Sequence, residues 1–180
     1  MSSGKIVLLT GDIETGKTSL CLEIARIAAE ADLDVAGLIS PAVFEGDRKI
    51  AIDAMDLRSR ESRRLAILKG GEKTGMDTRR WSFNPEVVSW GNQVLKNAIP
   101  CDMLVVDELG PLEFHHQKGW VAGFSSIESR DYQVAVVVIR PTLLKTAIQR
   151  WDISMEIDIN SPSGQSLTGE SILSTLGLGS

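Results

Sequence analysis

Gly11-Asp12-Ile13-Glu14-Thr15-Gly16-Lys17-Thr18 has the spacing G-x-x-x-x-G-K-[ST] of the Walker A phosphate loop. Such a loop needs a strand to deliver it and a helix to leave it, so it constrains the fold before any other residue is read. Both flanks comply. Residues 6–9, Ile-Val-Leu-Leu, read as a buried strand, and Leu20, Ile24, Ile27 and Ala28 recur at helical spacing. The residue types follow from the chemistry of a polyphosphate. Gly11 and Gly16 permit a tight turn and close backbone approach. The backbone N–H groups of Asp12, Ile13, Glu14, Thr15 and on to Ser19 then converge on one point at a helix N-terminus, whose dipole adds to their attraction for an anion. Lys17 supplies a fixed charge for the β- and γ-phosphate oxygens and is counted as catalytic on that account. The Thr18 hydroxyl is expected to ligate Mg²⁺.

The second half of such a site is expected far downstream. Residues 103–106, Met-Leu-Val-Val, form an apolar run that ends in Asp107-Glu108, the Walker B pattern. A buried parallel strand carries these carboxylates to its C-terminal end, where open α/β sheets bind ligands. Asp107 is expected to hold the magnesium. Glu108 is the candidate catalytic carboxylate, able to orient and polarise a water for attack on the γ-phosphate.

At 180 residues the chain reads as one domain with a substantial core. Its net charge of −5 argues against nucleic acid as the main partner, since phosphate backbones demand a concentrated basic surface. Residues 1–5 are too short for a signal peptide, and no apolar stretch is long enough to span a bilayer. A cytoplasmic location follows as an expectation. Cys21 and Cys101 have neither C-x-x-C nor histidine at metal spacing and read as small buried residues in a reducing compartment. His115-His116 has poor metal-site spacing and reads as a loop feature.

Between the motifs, residues 35–39 form a second strand ending at Ser40-Pro41. Residues 44–48 have turn chemistry, and 49–57 alternate as a half-buried strand. With the polar stretch 58–62 and the apolar residues that follow, these pieces suggest antiparallel strands inserted at about 41–70 beside a parallel core. Residues 70–75 read as a flexible segment. Asn84 and Pro85 mark a helix start with N-cap and first-turn proline. Farther on, Trp120, Val121, Phe124 and Ile127 suggest a helix. Residues 134–139 form the most strand-like run, apolar on both faces and so central. Leu143, Leu144, Ala147, Ile148 and Trp151 suggest another helix. Residues 153–159 read as an edge strand, 161–164 as a break, and 170–176 as a terminal helix in an extension of about 161–180. The expectation is an α/β fold of three layers, with a mainly parallel central sheet.

Three blocks carry a family resemblance: residues 11–18; Gly37-Leu38-Ile39-Ser40-Pro41-Ala42-Val43 with the strand through Leu57; and Val105-Val106-Asp107-Glu108-Leu109-Gly110-Pro111-Leu112-Glu113. In these the chain resembles the small P-loop nucleoside-triphosphatases first described from thermophiles, which include the cancer-related nucleoside-triphosphatase of animals. The resemblance spans about residues 5–160 and implies a RecA-like P-loop core that hydrolyses several nucleoside triphosphates, ATP and GTP among them, with Mg²⁺. It also implies a nucleotide-site role for Val106, Asp107, Glu108, Leu109, Gly110 and Pro111. Asp12 and Glu14 depart from the proline, glycine or small residues usual in that family's loop. Two carboxylates near a polyphosphate weaken binding unless they point to solvent.

Arg140, Arg79 and Arg80 are candidates to complete a phosphoryl-transfer site, and Trp81 to stack on a base or to pack beside the Asn84 helix. Stacking on Trp81 would not select a base, in keeping with broad base use; no N-K-x-D base-reading motif is present, which argues against a GTPase of the signalling type. Two other readings stay open beside the hydrolase. One is a nucleotide-dependent switch or assembly factor serving a protein partner. The other is a small-molecule kinase with residues 58–64 as a lid. A monomer or weak oligomer is expected in each case.

Overall fold

The computed structural model describes residues 4–69 and 80–178. Its strands are β1 (Lys5–Thr10), β2 (Val35–Ile39), β3 (Ala42–Glu45), β4 (Arg48–Asp56), β5 (Ser62–Leu68), β6 (Trp81–Phe83), β7 (Met103–Leu109), β8 (Val134–Ile139) and β9 (Met155–Asp158). The helices are α1 (Lys17–Glu30), α2 (Pro85–Asn97), α3 (Pro111–His116), α4 (Ala122–Ser129), α5 (Leu144–Arg150), α6 (Pro162–Gln165) and α7 (Gly169–Leu176), with a 3₁₀ turn at Pro141–Leu143.

One sheet runs in the order β6-β5-β4-β2-β7-β8-β1-β9. From β2 to β9 every pairing is parallel. The pairings among β2, β4, β3, β5 and β6 are antiparallel. The inner parallel strands β1, β2, β7 and β8 are buried on both faces, and their side chains alternate between two cores. Ile6, Leu8, Leu104, Val106, Ala135 and Val137 pack beneath α2, α4 and α5. Val7, Leu9, Met103, Val105, Val134 and Val136 pack beneath α1 and α7. This is the three-layer α/β arrangement, with helices on both faces and the antiparallel strands gathered at one side. Strand β2 approaches β7 so closely that a Cβ on Gly37, at φ +116°, would lie 2.0 Å from the Val105 carbonyl oxygen.

Several short elements differ from the sequence reading. Phe44 and Glu45, read as turn, are the end of β3; the hairpin turns at Gly46-Asp47, where Gly46 has φ +58°. Trp81 lies in β6, paired with Leu68 of β5. His115 and His116 close α3 instead of lying in a loop. Residues 161–164, read as a break, include the start of α6, where the Ser161 hydroxyl accepts from the Gly164 N–H at 3.0 Å. Ile148 is exposed on α5, because that helix meets the sheet mainly through Ala147. Helix α2 begins as read, with the Asn84 side chain accepting from the Glu86 N–H at 3.0 Å. The segment 70–75 lies outside the described residues.

The order of the central strands positions the site. β1 and β7 run parallel with β8 between them, so the residues that follow all three emerge at one sheet edge. At the end of β7 the pairing register slips between Val106 and Leu109. Asp107 and Glu108 occupy that irregularity, and such bulges re-aim side chains at strand ends.

Candidate active site

The loop after β1 turns through two glycines in conformations that disfavour other residues, Gly11 at φ +149° and Gly16 at φ +95°. Gly11 also has no room for a side chain: a Cβ there would lie 2.2 Å from Ile159 Cγ2. Lys17 is buried, and its Nζ donates to the Gly11 carbonyl at 2.9 Å and to that of Asp12. The Thr15 hydroxyl donates to the Asp12 carbonyl at 2.8 Å. The first turn of α1 carries no acidic residue. Asp12, Ile13, Glu14 and Ser19 are exposed, and Thr15 is half-buried.

The two unusual carboxylates each have a partner. The Asp12 carboxylate accepts from Asn160 Nδ2 at 3.1 Å, and its N–H donates to Asn160 Oδ1 at 2.7 Å. Glu14 Oε1 lies 4.0 Å from Lys49 Nζ and 4.0 Å from Arg80 Nη1.

The two distant motifs meet directly. The Thr18 hydroxyl donates to Asp107 Oδ2 at 2.8 Å. The same oxygen accepts from the Ser40 N–H at 3.2 Å, while the Ser40 hydroxyl donates to the Asp107 carbonyl at 2.7 Å. Burial pushes the Asp107 carboxyl up to about 6; the bonds from Thr18 and Ser40 oppose that rise, the Glu108 charge adds to it, and the Lys17 charge opposes it. A buried carboxylate held against a hydroxyl suits a divalent cation, which favours the ionised form. Among the described residues no group of three or more His, Cys, Asp or Glu could hold a metal. The Thr18 hydroxyl and the Asp107 carboxylate are donors of the kind Mg²⁺ takes alongside waters and phosphate oxygens.

Glu108 is partly exposed, and its Oε1 accepts from Arg140 Nε at 2.6 Å. Arg140 is the first residue beyond β8. Glu113 is buried and bridges two backbone donors: Oε2 accepts from Gly110 N at 2.8 Å and Oε1 from Trp120 N at 2.9 Å. Burial raises its carboxyl above the ordinary range, and these backbone bonds oppose the rise. Gly119 is required beside it, since a Cβ there would lie 1.9 Å from Glu113 Oε1. On the other side of the phosphate loop a cleft of about 400 Å³ opens between Thr15 and Leu20 and the segment containing Ile159, Asn160, Gln165 and Leu167.

The structure thus brings together the loop residues, Thr18, Asp107, Glu108 and Arg140. It does not bring the side chains of Val106 and Leu109 to that edge; both are buried in the core beneath α2 and α4. Gly110 and Pro111 serve the turn into α3. Arg79 lies outside the described residues. Three of the four arginines read as a lid are tied down: Arg58 to Asp34 and to the carbonyls of Asn97, Ala98 and Pro100, Arg63 to Glu61 and the Trp90 face, and Arg64 to Asp53; Arg60 is exposed. Ser40 and Asn160 were missed as site residues. Ser40 carried a faint signal, a polar residue ending a buried strand. Asn160 carried none.

Comparison with known proteins places the chain in a family. A family model described as NTPase matches residues 6–155. Nucleoside-triphosphatase THEP1 of Methanopyrus kandleri is 30% identical over 108 residues, covering 59% of this chain and 58% of its own. That of Methanocaldococcus jannaschii is 29% identical over 114 residues, covering 62% and 65%. Each match spans less than two thirds of the relative's length. The solution structure of a human cancer-related nucleoside triphosphatase superposes with a TM-score of 0.70 at 19% identity, over 96% of this chain and 97% of that one, which is a likeness of fold. On the match over residues 6–155, the chain belongs to the NTPase family.

Proposed function

We propose that this chain hydrolyses nucleoside triphosphates to the diphosphate and phosphate, uses Mg²⁺, and tolerates different bases. The observation that carries the reading is the 2.8 Å contact between Thr18 and Asp107, which joins two motifs far apart in sequence at one sheet edge. In this reading the loop N–H groups and Lys17 hold the β- and γ-phosphates. Thr18 and Asp107 hold Mg²⁺, which when bound offsets charge on the phosphate oxygens. Glu108 accepts a proton from water as the water oxygen bonds to the γ-phosphorus. The bond from that phosphorus to the bridging oxygen breaks, and its electron pair stays with the diphosphate. Arg140 orients the Glu108 carboxylate through its 2.6 Å bond.

The strand order supports one direction for the substrate. Asp107 and Glu108 lie on the β8 and β7 side of the loop, so a triphosphate with its γ-phosphate toward them extends its nucleoside toward β9. The cleft beside Leu20, Ile159 and Leu167 lies there, with Asn160 and Gln165 as its amides and no charged side chain in its lining. Apolar walls accept any base, and an amide can both donate and accept. This supports broad base use. Phosphate release from ATP, GTP, CTP and UTP, with Mg²⁺ and with chelator, tests the reading. Release from all four that stops with chelator is expected. No release from any of them would overturn hydrolysis, and release from one alone would overturn the tolerance.

A further inference from the structure

Glu14 is an odd residue for a loop that receives phosphate. It adds negative charge, and it adopts φ +62°, where glycine would be less strained. Its side chain reaches two cations of the antiparallel strands: Lys49 on β4 and Arg80 just before β6, each 4.0 Å from the same Oε1. Both cations also lie over the Trp81 ring, at 5.4 and 5.3 Å from its centroid, a placement that holds a cation near one aromatic face. Lys49 is largely shielded, its side chain 18% exposed. Six other ion pairs of the described residues close to 2.5–2.7 Å. The two at Glu14 stand beyond hydrogen-bond distance. Among the described residues one carboxylate thus shares two cations loosely, and the three side chains together carry one net positive charge.

We infer that Lys49 and Arg80 are the cations that contact the terminal phosphate of a bound triphosphate, and that Glu14 is their alternative partner. The inference rests on the triphosphate reading of the loop. A terminal phosphate carries more negative charge than one carboxylate and accepts several donors, so it competes with Glu14 for both cations. On the phosphoryl oxygens they stabilise the charge of the transition state, as arginines do in phosphoryl transfer. A diphosphate presents no terminal phosphate there and leaves the cations with Glu14. The pair therefore discriminates substrate from product.

The test compares Lys49→Ala, Arg80→Ala and Glu14→Gln with the wild type. It measures binding of a non-hydrolysable triphosphate analogue and of the diphosphate by calorimetry, and phosphate release in turnover. Each alanine variant is expected to weaken triphosphate binding at least about tenfold, to leave diphosphate binding within about twofold, and to slow turnover about 10²-fold, the scale for one electrostatic group. Glu14→Gln is expected to tighten triphosphate binding alone, and to lose that gain in the Lys49→Ala/Arg80→Ala background. Diphosphate binding serves as the control for folding. Equal tightening of both nucleotides by Glu14→Gln would mean plain repulsion and overturn the inference. So would alanine variants that bind and turn over as the wild type does. A wild type that discriminates the two nucleotides through these cations yet releases no phosphate would overturn hydrolysis and leave this inference standing.

Discussion

Lys17 is buried, yet its ammonium is paired with loop carbonyls, so its charge is held in place without a competing carboxylate. Lys17→Ala removes the one cation that the loop itself contributes. We expect turnover to fall at least about 10²–10³-fold while the circular dichroism spectrum is unchanged; unchanged turnover in a folded variant would remove Lys17 from the site. The thiols allow a second check at this scale. Burial pushes Cys101 up to about 12, with the Arg58 charge opposing and nearby acidic groups adding; burial raises Cys21 well above its ordinary range. Both stay protonated at pH 8, below their folded values. In the folded chain their reaction with a thiol reagent should be more than about 100-fold slower than in denaturant. Reaction at the denatured rate would contradict the burial of Cys21 and the partial burial of Cys101. The phosphate loop was legible because each residue answers a requirement of polyphosphate binding at fixed spacing. Asn160 was not, because its bonds to Asp12 join residues that only the β1–β9 pairing brings together.

Elements long enough to show a period were readable. Helix α2 announced itself through Asn84, Pro85 and an apolar face, and β8 through an apolar run suited to a doubly covered strand. β6, α3 and α6 were not legible, since three to six residues leave no period to detect, and tertiary pairing decides their conformation. The turn between β7 and α3 is the element that holds the Asp107–Glu108 end of β7 in place. Glu113 holds it by accepting from Gly110 and Trp120, and Glu113→Ala leaves two buried donors without that acceptor. We expect a loss of about 2–4 kcal/mol in urea denaturation, with turnover reduced through misplacement of Glu108. A loss under about 0.5 kcal/mol, the range of ordinary surface changes, would show that Glu113 does not secure the turn.

For the whole molecule, alternation of strands and helices was enough to anticipate a covered, mainly parallel sheet with antiparallel strands beside it. Strand order was not readable from alternation alone. It needs the pairings, and these place β8 between the strands that bear the two motifs, which brings Arg140 to Glu108. That order gives the molecule a directional site: carboxylates on one side of the phosphate loop, an uncharged cleft on the other, and the Lys49–Arg80–Trp81 group of the antiparallel strands at Glu14. In the proposed function this edge separates binding from chemistry, with Asp107 serving the metal and Glu108 the water. The most direct measurement is nucleotide affinity together with phosphate release across a magnesium titration, for Glu108→Gln and Asp107→Asn. Glu108→Gln should bind nucleotide with magnesium as the wild type does and hydrolyse it about 10²–10⁴-fold more slowly, the scale of a positioned general base. Asp107→Asn should require more magnesium before its turnover changes in any other way. Hydrolysis by Glu108→Gln at near the wild-type rate would contradict this assignment and remove Glu108 as the catalytic carboxylate.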